Sequence, residues 1–125
     1  MKKTLIISLS LLVCVTTLTI VESCSKDNVV DYYGLGNCTD TVSFATKIQP
    51  LINTNCATSG CHDATTAEAG YDLSTYQSIV DNADIVYSAM SWQQGTAPMP
   101  DGGDQLADSL IQQFSCWMSQ GKLNN

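Results

Sequence analysis

Cys56-Ala57-Thr58-Ser59-Gly60-Cys61-His62 brings two cysteines and the single histidine of the chain into seven residues. Four residues separate the two thiols. On an α-helix, side chains three apart lie nearly on one face, but side chains five apart are turned by about 140° net. Two thiols that act together at this spacing therefore need the spacer to leave the helix and bulge. Thr58-Ser59-Gly60 permits that, because glycine accepts backbone angles closed to other residues.

The segments around this stretch read as helices. Phe44, Ile48, Leu51 and Ile52 share a helical face upstream, and Pro50 fits only a first turn, so a short helix is expected to start near Pro50 and run into the cysteines. Residues 63–72 are small and polar, a loop. Ser74 is a candidate cap for a second helix over 75–83, with Tyr76, Ile79 and Val80 inward. A third is expected over 85–92. Residues 95–103 hold Pro98, Pro100, Gly102 and Gly103 and read as loop. Leu106, Leu110, Ile111, Phe114, Trp117 and Met118 form one stripe of a last helix, which Gly121 can close at its C′ position. No stretch alternates as a strand does. The expected class is all-α.

A cysteine pair followed directly by histidine is the pattern of covalent c-type haem attachment, usually C-x-x-C-H. In that chemistry Cys56 and Cys61 form thioethers with the haem vinyl groups, and His62 is the proximal iron ligand. Three other readings stand beside it. Cys56 and Cys61 can close a small disulfide. They can join His62 on zinc, although a closed site wants a fourth ligand and there is no second histidine. Or they can be a redox dithiol, which usually has a two-residue spacer. Haem iron in a cytochrome takes a sixth ligand, and a methionine thioether raises its potential. Met99 stands between Pro98 and Pro100, whose rings stiffen the backbone. Its rivals Met90 and Met118 read as core packing.

The N-terminus reads as an export signal. Lys2 and Lys3 precede an uncharged, apolar and hydroxylic run from Thr4 to Val21. Val21-Glu22-Ser23-Cys24 resembles the lipobox of bacterial lipoproteins, which makes residues 1–23 a signal peptide and Cys24 the acylated first mature residue. An ordinary signal peptide cut near Ser23, or an uncleaved anchor, is the alternative. Cys14 has no small residue before it and does not fit a lipobox. Residues 24–37 are polar with two glycines and read as a tether. Residues 38–125 then form one domain with a modest core. The mature part has three lysines, no arginine and eleven acids, a formal charge of −8. That sign excludes nucleic acid as a partner and suits a basic protein or plain solubility.

Taken in order, several segments resemble small monohaem c-type cytochrome domains of bacterial lipoproteins. They are Ile48-Gln49-Pro50-Leu51-Ile52, Cys56 to His62, Leu73-Ser74-Thr75-Tyr76, Pro98-Met99-Pro100 with Gly102-Gly103-Asp104-Gln105-Leu106, and Trp117 with Gly121. The resemblance runs from about Cys38 to Asn125. It implies a class I cytochrome c-like α fold, one haem c on Cys56 and Cys61, His62 as proximal ligand and Met99 as distal ligand.

Cys38 and Cys116 remain. In an oxidising compartment their pairing is the economical reading, the alternative being a free Cys38 and a small core residue at 116. The function expected is electron transfer with an unidentified redox partner, in the periplasm or at the outer membrane, with the membrane reached through the lipid. It is not expected to be an enzyme and has no catalytic residues to name. A haem enzyme or sensor would need an open sixth site, and no second histidine or arginine is present for distal acid–base work. A haem-free, disulfide-stapled lipoprotein that binds a partner is the third reading. With no arginine for the haem propionates, the Trp92 N–H, Tyr87 or backbone amides are the candidate donors.

Overall fold

The computed structural model describes residues 38–125. The expected signal peptide, Cys14, the expected acylation site Cys24 and the expected tether over residues 24–37 lie outside the described residues. Among the described residues every regular element is helical and no strand forms. None of these helices is long and apolar enough to cross a membrane.

The first helix starts earlier than Pro50. Ser43 caps it, its hydroxyl accepting from the Thr46 N–H at 3.3 Å, and a π-turn over Phe44–Ile48 leads into α1, Gln49–Asn55. Pro50 has no N–H to give, and its ring crowds the carbonyl one α-turn back. The wider π-turn, with Ile48 and Gln49 bonding five residues back to Ser43 and Phe44, opens the backbone in that place. The predicted inward face holds: Phe44, Ile48, Leu51 and Ile52 are all buried.

Residues 63–72 are loop as expected, except for one 3-10 turn over Glu68–Gly70. Helix α2, Tyr76–Asp81, is capped by Thr75 rather than Ser74, in a reciprocal capping box with Ser78. Ser74 lies one residue before the cap, in a turn where its N–H donates to the Asp72 carboxylate at 2.8 Å. Helix α3, Ala83–Met90, starts and ends two residues before the expected 85–92, and Ile85 faces outward, 38% exposed. Helix α4, Asp108–Ser119, buries Ile111, Phe114, Trp117 and Met118, while Leu106 and Leu110 pack at the core's edge. Gly121, at φ +93°, closes α4: its N–H donates to the Met118 carbonyl and that of Lys122 to the Trp117 carbonyl, a Schellman motif.

Helix α4 packs against both the π-turn and α3, and α2 packs against α3. Trp117 is the hub. It is fully buried, its ring lies 5.8 Å from Phe44 and 5.4 Å from Phe114, and its N–H donates to the Leu123 carbonyl at 2.9 Å. Burial of each such side chain contributes about 1.5–3 kcal/mol. The last residues fold back onto the first helix, where the Phe44 and Ala45 N–H groups, otherwise without helical partners, donate to Asn125. Cys38 and Cys116 form a disulfide with Cα atoms 5.5 Å apart, tying the start of the described chain to the middle of α4.

Candidate functional site

The spacer leaves the helix where the sequence requires it. Helix α1 ends at Asn55, and residues 56–62 form a tight series of turns with Gly60 at φ +84°. The Cys61 N–H donates to the Thr58 carbonyl at 3.0 Å, and the His62 N–H reaches back to the Cys56 carbonyl at 3.1 Å. That second bond closes the bulge, so the two ends of the stretch meet although four residues separate the cysteines. The Asp63 carboxylate braces the far side, accepting from the N–H groups of Gly60, Thr65 and Thr66. The bonds from Thr66 and Thr65, above all, hold its carboxyl below the usual 3.8.

Cys56 and Cys61 are both unpaired. Cys56 is half-buried and packs at the edge of the core, whereas Cys61 is exposed. Burial first, then the neighbouring Cys61, pushes the Cys56 thiol up to about 11. A redox dithiol needs the opposite, a thiol with lowered pKa. Zinc is no better served, since among the described residues no three His, Cys, Asp or Glu side chains gather as a metal-holding group. The small disulfide between Cys56 and Cys61 is not formed.

His62 is fixed at both its backbone and its ring. Its carbonyl accepts from the Leu73 N–H at 2.8 Å. Its Nδ1 lies 3.1 Å from the Tyr71 carbonyl, and the Tyr71 ring stands edge-on at 6.2 Å. A carbonyl only accepts, so Nδ1 carries the proton. The neutral ring then has its lone pair on Nε2, the tautomer and orientation of a metal-binding histidine.

Met99 lies in a separate segment, the loop after α3, and is half-buried outside the core cluster. Met90 and Met118 are core residues, 2% and 8% exposed, as the sequence suggests. The Met99 main chain is tied at both polar groups: its N–H donates to the Ala89 carbonyl at 3.1 Å, and its carbonyl accepts from the Trp92 indole at 2.9 Å. The Trp92 N–H, one of the donors suggested for a haem propionate, is here given to Met99. Tyr87, the other side chain suggested for that task, is buried in α3.

Cys56, Cys61 and His62 are therefore gathered into one braced turn, Met99 is anchored separately on α3, and Cys38 and Cys116 are withdrawn into the disulfide. Two contributors were missed in the sequence. Asp63 with Thr65 and Thr66 is a recognisable side-chain-to-backbone turn signal. The Tyr71 carbonyl, a main-chain acceptor nine residues from His62, has no residue-type signature at all. Compared with protein-family models, curated proteins and solved structures, the chain matches none of them.

Proposed function

We propose that residues 38–125 form a cytochrome c-like domain that holds one covalent haem c and passes single electrons. The residues present suit that group. Two unpaired thiols stand at either end of a closed bulge, and the next residue is a histidine with its ring fixed and Nε2 available. Haem supplies four iron ligands itself, so the protein need give only the axial pair, and a larger cluster of ligating side chains is not required. Cys56 and Cys61 would add their S–H groups across the two vinyls. His62 would ligate through Nε2 and Met99 through its thioether. Bound in this way, haem iron alternates between ferrous and ferric and so takes up and releases one electron.

The single observation that carries this reading is the sorting of the four described cysteines. Cys38 and Cys116 pair across the fold, and the two left unpaired are those that lead into His62. The disulfide also supports an oxidising compartment, in keeping with export and with lipid attachment at Cys24. The acidic chain favours a basic redox partner.

A redox titration of the full-length protein, made with a c-type maturation system and followed by visible absorption, tests the proposal. The expected outcome is a reversible one-electron transition between ferric and ferrous spectra, with little carbon monoxide binding to the reduced form. A protein without haem absorption would overturn it. Ready binding of carbon monoxide by the wild type would replace electron transfer by the sensor reading.

A further inference from the structure

Trp92 occupies a position that suits it poorly. Helix α3 ends in a Schellman motif, in which the Trp92 N–H donates to the Ala89 carbonyl at 3.2 Å and the Gln93 N–H to the Ser88 carbonyl at 2.9 Å. The C′ residue of that motif takes the left-handed conformation and is normally glycine. Here it is tryptophan at φ +55°. For a bulky residue this conformation is unfavourable, and the observation asks what the side chain does in return. It does not fill the core, because Trp92 is 43% exposed. Its one directional interaction is the indole N–H donating to the Met99 carbonyl at 2.9 Å.

Three bonds then form a closed clasp. The Ala89 carbonyl accepts from the N–H of Trp92 and from the N–H of Met99, and the Met99 carbonyl accepts from the indole of Trp92. Both polar groups of the Met99 main chain are held to the end of α3. The intervening loop, with Gly95 at φ +92°, is thereby pinned at Met99, whose half-buried side chain lies outside the core cluster. From its left-handed position at residue 92 the indole spans the loop to the Met99 carbonyl, and it can only donate there, because the indole N–H is its single polar group.

We infer that Trp92 is a positioning residue whose indole fixes Met99 for ligation of the haem iron. The inference rests on the proposed haem site, but the clasp itself is measurable without haem. In the full chain lacking haem, Trp92→Phe keeps a ring and removes the donor. Amide hydrogen exchange at Met99 should then rise by about five- to tenfold, as losing one ordinary hydrogen bond allows, with amides of α4 unchanged. In the haem-loaded protein the same variant should weaken the far-red methionine–ferric band, lower the reduction potential and speed carbon monoxide binding. Trp92→Gly should give the same ligand effects even where relief of the backbone angle offsets the lost contact in stability.

Unchanged Met99 exchange in Trp92→Phe would overturn the clasp. Faster exchange with an unchanged band and potential would overturn the positioning role while leaving the haem reading intact. If the wild type carries no methionine-ligated haem, the ligation reading and the role of Trp92 toward iron fail together. The Met99 exchange rate then still reports, by itself, on the clasp.

Discussion

Three methionines in residues 38–125 divide into two kinds. Met90 and Met118 are buried among apolar neighbours, and Met99 is half-buried with its main chain tied to α3. Stability and spectrum should therefore respond to different substitutions. In denaturant unfolding, Met90→Ala should cost about 2–4 kcal/mol, the range for emptying a packed core site, and Met99→Ala less than about 1 kcal/mol. The spectra should show the reverse: Met99→Ala abolishes the far-red band and lowers the potential, and Met90→Leu leaves both unchanged. A large stability loss at Met99 with an unaltered spectrum would make it a packing residue. The division was legible in the sequence, since Met118 falls on an apolar stripe and Met99 falls between two prolines. The clasp on Met99 was not. Tryptophan at a C′ position contradicts every local preference, and only the fold shows where its indole goes.

At the level of elements, helical periodicity found the four α-helices, and the errors lie at their ends. Ser74 looked like the start of α2, but the reciprocal capping box forms between Thr75 and Ser78. The first helix seemed bound to start at Pro50, yet a π-turn capped by Ser43 carries it back to Phe44. Helix α2 spans only six residues, Tyr76–Asp81, and an isolated helix that short is not stable in water. Its cap should therefore matter. Thr75→Ala should lower the stability of the domain by about 0.5–2 kcal/mol in denaturant titration. Amide exchange should rise first in α2. A variant as stable as the wild type would mean that tertiary contacts of α2, the packing of Ile79 and the Tyr76 bond to the Lys122 carbonyl, hold this helix without its cap.

In the molecule as a whole, a small core is reinforced by long-range ties. The disulfide joins residues separated by 78 positions, and the folded-back end contributes the bonds of Asn125 to the first helix. For a loop of that length the chain-entropy model gives about 4–5 kcal/mol. The Cys38→Ala/Cys116→Ala variant should lose most of this in unfolding experiments while leaving the proposed haem attachment intact, because neither residue belongs to the turn of Cys56, Cys61 and His62. A loss under about 1 kcal/mol would show that the unfolded chain is already restrained by other means. The same sorting of cysteines bears on the haem itself, and the most direct test is the intact mass of the denatured full-length protein after expression with a c-type maturation system. One haem should remain bound through denaturation in the wild type and be absent from Cys56→Ala/Cys61→Ala. An unmodified wild-type mass under those conditions, or haem retained by the double variant, would contradict covalent attachment at this site.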